Sequence, residues 1–259
     1  MSCKFNDLNL QGLIPHSRFG HRMVTNNKRV CYMFGGNDEN GKYYKDIWSL
    51  KLNDYDNEYQ WSLIETENNI IPRCYHGMIY YNNKIYVFCG FNDSCLNDVY
   101  YMDLSETTKI WHKLSVNNMP AICLFTSHLY RHQLYGDIIV IFGGEYSDYT
   151  CSNELYSYNI SDNILSKIEI NYNNIVLKPR CGHSSTMINH KLFIFGNQEQ
   201  NNDNNIYYID FINDIPTLHY IKTDVPNIHG HLMLSNVNNF QYTFPCKHLY
   251  SYSIIIYKP

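Results

Sequence analysis

The sequence predicts an all-β fold, and three observations carry that expectation. Alanine, the best helix former, occurs once, as Ala121, against 33 asparagines and 25 tyrosines in 259 residues. Strand-sized apolar runs with alternating side chains follow one another along the chain. These runs recur at a fixed period. The period decides the matter, because an AT-rich coding sequence inflates Asn, Tyr, Ile and Lys in any fold.

Phe34, Phe88, Phe142 and Phe195 stand in CYMFGG, YVFCG, IVIFGG and LFIFGN at spacings of 54, 54 and 53 residues. A histidine precedes each by 12 to 14 residues: His21, His76, His128 and His183. A third segment follows each Phe, in KDIWSLKL, NDVYYMDL, NELYSYNI and NNIYYIDF, and a fourth is clearest in QWSLIE and IWHKLS. Four strands per period of this length is the pattern of a β-propeller blade, a meander of four antiparallel strands.

A fifth copy starts at HGHLMLSNVNNFQYTFPC, with His231 and Phe244 in register, and continues into HLYSYSI. It lacks a fourth strand, and KFNDLNLQGLIP near the N-terminus resembles one, with Phe5 in the place of Trp61 and Trp111. The expectation is a single five-bladed ring over residues 1–259, closed by strand 3–10 joining the last blade, which removes free sheet edges. The blades are expected at about 15–70, 71–119, 120–177, 178–225 and 226–259. Asn26-Asn27, Asn82-Asn83 and Asn238-Asn239 fall where hairpins need left-handed residues. Cys89 and Pro245, in place of the glycines that follow Phe34 and Phe142, should alter the chain locally.

Composition excludes several roles. With 20 Lys+Arg against 24 Asp+Glu, the net charge of −4 argues against a nucleic-acid binder. No run approaches the 18 apolar residues of a membrane span, and MSCKFNDLNLQG lacks a secretory pattern. Nine cysteines without a CxxC pair do not read as a disulfide framework, so a reducing cytoplasm, or the nucleus, is the expected location.

The repeat resembles the Kelch family. The matching motifs are PHSRFGH, PRCYHG and PRCGH, the two FGG turns with two degenerate copies, the third-strand aromatics Trp48, Tyr100, Tyr156, Tyr207 and Tyr250, and Trp61 and Trp111. The resemblance implies a non-catalytic adaptor or scaffold that binds a partner protein or peptide. A propeller with a small-molecule or catalytic site in its channel, or an actin-associated scaffold, is the alternative. Neither a BTB nor an F-box segment is recognisable.

Strand order puts the loops leading into each first strand and the loops leaving each second strand on one face. The lead-in segments carry Arg18, Phe19, Arg73, Tyr75, Arg180 and His229; the exit loops carry Asn37, Tyr43, Phe91, Asn92, Glu145, Tyr146 and Tyr149, among other acids. Arg18, Arg73 and Arg180 each stand three residues before the repeat His, and a ring of guanidiniums suits an acidic peptide. The histidines are expected to bond within their own blades. Cys74 and Cys181 read as small fillers. No catalytic residue, cofactor or metal is expected, the pair His229 and His231 lacking a partner ligand. A monomer without nucleic-acid or membrane partners completes the expectation.

Overall fold

A computed structural model describes residues 9–26, 29–53, 58–132, 136–197, 205–224, 232–235 and 241–244. Every regular element among them is a strand. The first sheet is built from β1 (Asn9–Gln11), β2 (Arg22–Thr25), β3 (Val30–Phe34), β4 (Ile47–Asn53) and β5 (Glu58–Ile64), in the order β1-β5-β4-β3-β2. The second contains β6 (Gly77–Tyr81), β7 (Lys84–Asn92), β8 (Ser94–Asp103) and β9 (Trp111–Leu114), side by side in chain order.

A short pair, β10 (Ile122–Cys123) with β13 (Glu145–Tyr146), flanks the third sheet. That sheet is β11 (Thr126–His132), β12 (Gly136–Phe142), β14 (Leu155–Asn159) and β15 (Ile164–Ile168). The fourth is β16 (Ser184–Ile188), β17 (Lys191–Phe195), β18 (Ile206–Asp210) and β19 (Thr217–Ile221). β20 (Leu232–Ser235) and β21 (Gln241–Phe244) form a final hairpin. Leu232, the residue after His231, pairs with Phe244 as expected for a fifth copy. His231 itself lies outside the described residues, as do His229, Asn27, Asn238, Pro245, Tyr250 and residues 1–8.

The chain divides into two compact units, Met1–Ser115 and Val116–Pro259. The core of each forms between the faces of its sheets. In the first unit Phe34 and Ile47 meet Ile85, Val87, Met102 and Trp111 of the next sheet. In the second, Phe142 and Leu155 meet Leu192, Ile194, Ile209 and Leu218. Alternation places Leu192 and Ile194 in that core, while Phe193 and Phe195 join Ile206 on the other side of β17. β12 and β17 are buried on both faces over most of their length, which is why they read as unbroken apolar runs.

Among the described residues Asn9–Gln11 run parallel to β5 in the first sheet, whereas HLYSYSI of the last repeat lies outside the described residues. One expectation changes. Cys89 adopts φ 50°, the left-handed conformation that Gly35 and Gly143 take at φ 67° and 66°. The local change in this repeat is instead a bulge between Phe88 and Gly90, after which β7 and β8 run on into a tight turn at Asp93. Asn82 and Asn83 both have positive φ, as their hairpin demands.

Candidate partner-binding face

Within each unit the lead-in segments and exit loops do share one end. Phe19 and Asn37 exchange two backbone hydrogen bonds of 2.9 Å, and Asn37 is also bridged to Tyr43. Cys74 and Phe91 exchange bonds of 3.0 and 2.9 Å. Ile122 and Cys123 pair with Tyr146 and Glu145.

The arginines turn away from this surface. Arg73 is wholly buried, and its guanidinium grips the Asp98 carboxylate at 2.5 and 3.0 Å while donating to the Cys89 carbonyl at 2.8 Å. Arg18, its side chain 2% exposed, repeats the pattern with Asp46 at 2.5 and 2.9 Å and the Gly35 carbonyl at 3.2 Å. Arg180, also buried, donates to the Gly196 carbonyl at 3.4 Å and lies 4.8 Å from the centre of the Tyr207 ring. Each Nε donates to the carbonyl two residues back, of His16, Ile71 or Lys178. The three side chains tie the lead-in segment to the turn after the second strand, and Asp46 and Asp98 were the partners that sequence reasoning missed. They form no cationic mouth of the kind that an acidic partner would use.

The histidines also act differently from expectation. His76 packs edge-on against Phe34 of the preceding sheet, with ring centres 5.3 Å apart, and His183 does the same to Phe142 at 5.4 Å. Among the described residues neither ring nitrogen of the buried His76 has a hydrogen-bond partner. Burial, reinforced by the charges of Arg22, Arg73 and His21, holds His76 well below the ordinary imidazole value, so it stays neutral. A Cβ on Gly35 would stand 2.5 Å from the Arg73 carbonyl and 2.9 Å from this ring, which explains why glycine follows Phe34.

His128 is not the third member of this set. The residue paired with the repeat Phe is Arg22, Gly77 and Ser184 in three sheets but Thr126 in the third, so Phe125 holds the histidine register. The hairpin of β11 and β12 is longer, and counting back from Phe142 lands three residues late. His128 instead bonds Ser185 of the next sheet at 2.7 Å through Nε2. Ile122 then occupies the arginine register, and the acid of that repeat, Glu154, takes Lys167 at 2.5 Å and the Tyr146 hydroxyl at 2.8 Å, with Tyr156 beside it. These donors, Lys167 foremost, pull Glu154 down to about 2.

Two aromatic pairs lie on the first unit's face, with Phe19 exposed and Tyr43, Tyr75 and Phe91 half-buried. Phe19, 39% exposed, lies 6.5 Å from Tyr75, and Tyr43 lies 6.3 Å from Phe91. Asn92 secures the second pair's loop by donating to the Pro72 carbonyl at 2.6 Å. In the second unit Tyr146 is half-buried on Glu154, whereas Tyr149 is 78% exposed at the tip of the turn closed by Tyr146 and Thr150. Tyr75 and Tyr149 both hold left-handed φ, 52° and 65°, a strained state for an aromatic residue that recurs at functional loops.

Beside that turn, Cys151 and Cys181 approach to 2.7 Å between sulfurs, with Glu145 Oε2 3.5 Å from Cys181. Cys181 is therefore more than a filler. Cys74, at the same register of the second repeat, fits the filler role: it faces the Phe91 carbonyl at 3.7 Å, and burial pushes its thiol up to about 12.

The sequence profile of the KLHDC2/KLHL20/DRC7 Kelch-repeats domain matches residues 2–124. This match and the relatives that follow support a place in the Kelch-repeat family. Its repeats are 25% identical over 195 residues to the Leucine-zipper-like transcriptional regulator 1 homolog of Drosophila melanogaster, covering 73% of this chain and 19% of that protein. Human Host cell factor 2 is 25% identical over 220 residues, with 73% and 27% covered. Tip elongation aberrant protein 1 of Schizosaccharomyces pombe is 25% identical over 217 residues, with 80% and 17% covered. The chain thus spans 17–27% of the length of these relatives. The solved structure of YjhT superposes with a TM-score of 0.67 over 86% of this chain and 70% of that one, at 13% identity, a likeness of fold.

Proposed function

We propose that the chain is a five-bladed Kelch propeller that serves as a non-catalytic interaction module, binding a protein or peptide on the face made by its lead-in segments and exit loops. The observation that carries this reading is the aromatic pairs of the first unit, exposed Phe19 with half-buried Tyr75 and half-buried Tyr43 with Phe91, on loops cross-linked by backbone hydrogen bonds, with Tyr149 exposed on the corresponding loop of the second unit. Rigid aromatic anchors lose little entropy on binding and dominate interface energetics. The Kelch-repeats match, within relatives several times longer, supports the same reading.

The partner this surface fits is one with apolar anchors rather than one chosen for acidity, because the arginines are occupied inside their repeats. Asp38, which ties its own loop to Lys42 and Tyr44, and the turn residues Asp93 and Asp148 leave an acidic fringe around the aromatics. The test is affinity capture with mass spectrometry, comparing wild type with Phe19→Ser/Phe91→Ser. Partners lost from a variant that melts like wild type support the reading. Partners retained in full move the site elsewhere.

A further inference from the structure

Seven of the chain's cysteines lie among the described residues, on the first four repeats. Cys151 and Cys181 come from different repeats, one at the end of the exit loop after β13 and the other just before β16. Backbone pairing fixes both. Glu145 is bridged to Cys151, and the Arg180 N–H donates to the Ser152 carbonyl at 2.8 Å, so the cysteines flank a single inter-repeat hydrogen bond. Their sulfurs, 2.7 Å apart, are within reach of the ~2.0 Å disulfide bond by small side-chain rotations. Two thiolates sharing a tetrahedral zinc would stand farther apart, at roughly 3.8 Å for Zn–S bonds of about 2.3 Å.

We propose that Cys151 and Cys181 are a redox-responsive pair that closes to a disulfide and staples the Tyr149-bearing exit loop to the lead-in segment of the next repeat. The oxidant class is a low-molecular-weight disulfide. Cys151, partly exposed, gives up its proton and attacks one sulfur of the oxidant, forming a mixed disulfide and expelling one small thiolate. Cys181, only 1% exposed, then attacks Cys151 Sγ and expels the second small thiolate, its own proton passing to the Glu145 carboxylate 3.5 Å away. The protein loses two protons and two electrons, Glu145 passes its proton to the departing thiolate, and the small disulfide leaves as two thiols. Exposure makes Cys151 the attacking and Cys181 the resolving residue, and burial, the Cys151 thiol and the Glu145 carboxylate raise the Cys181 thiol in keeping with that order. This inference stands independently of the partner reading, because it concerns only the pair itself.

The test incubates the full chain with oxidised glutathione, blocks remaining thiols by alkylation, and maps peptides by mass spectrometry with and without reductant. A Cys151–Cys181 linked peptide that vanishes on reduction is expected, together with Cys74 remaining alkylatable after denaturation and a thermal midpoint raised by roughly 5–10 °C. Cys151→Ser should abolish the link while Cys181 stays a thiol. Both cysteines recovered as separate alkylated peptides after oxidation would overturn the proposal. So would stoichiometric zinc that protects both and must be chelated before either reacts, since it would make them metal ligands.

Discussion

Arg73 and Asp98 form a two-pronged ion pair with their side chains 0% and 8% exposed. A residue whose spacing suggests a ligand-facing ring is thus a tie between the lead-in segment and the third strand. Removing one member leaves the other charge buried and uncompensated, which costs about 3–5 kcal/mol. Asp98→Ala should lower the unfolding midpoint accordingly, while Arg73→Met with Asp98→Leu recovers much of the loss. All three tryptophans, Trp48, Trp61 and Trp111, lie in the first unit, so their fluorescence during urea unfolding reports on this change directly. An unchanged midpoint in Asp98→Ala would remove the tie from the account.

The buried His76 predicts a pH dependence with a definite sign. Its folded value is lowered from 6.5, so below that pH the unfolded chain takes up a proton that the folded chain refuses. Stability therefore falls as pH drops below about 6.5, by up to about 1.4 kcal/mol per pH unit for one such ring. Ring chemical shifts of His76 should show no titration between pH 8 and 5.5. A midpoint near 6.5 would contradict the burial. His76→Phe, the residue that the third repeat carries at this register, should flatten the loss of thermal stability over that range.

Gly35 and Cys89 share a left-handed backbone but should respond to substitution by different amounts. At Gly35 a Cβ collides with the Arg73 carbonyl and the His76 ring, so Gly35→Ala should cost about 2–4 kcal/mol, strain and displacement together. Cys89→Gly relieves an L-residue of its unfavourable φ and should change stability by no more than about 1 kcal/mol in either direction. Paired urea melts of the two variants check this.

Tyr149 stores strain at an exposed tip. Tyr149→Gly should leave the thermal midpoint unchanged or slightly raised and reduce partner capture, the trade expected of a residue kept for contact rather than folding. A drop in midpoint with unaltered capture would assign Tyr149 to the scaffold.

The repeat was legible because antiparallel pairing fixes a residue opposite each Phe, so period and strand order survive in the sequence. The hidden variable was hairpin length. In the third repeat β11 and β12 pair over seven residues, which moved the register from His128 to Phe125. The site was less legible, since spacing gives the position of Arg18, Arg73 and Arg180 but not the direction of a long side chain. A usable signal existed in the acid just before the residue that pairs with the repeat Phe, Asp46 and Asp98, matched by the joint change to Ile122 and Glu154 in the third repeat. Nothing in the sequence joins Cys151 to Cys181, because their approach depends on pairing between repeats.

Site-specific photocrosslinking tests the central claim most directly. A photoreactive phenylalanine analogue would replace Phe19 or Tyr43 on the proposed face of the first unit, and Asn83 at the turn of the β6–β7 hairpin, in full-chain protein exposed to cell extract. One partner is expected to crosslink from positions 19 and 43 and not from 83, with the Phe91→Ser change suppressing it. Equal crosslinking from all three positions, or a partner captured only at 83, would contradict a binding face built from the aromatic lead-in and exit loops.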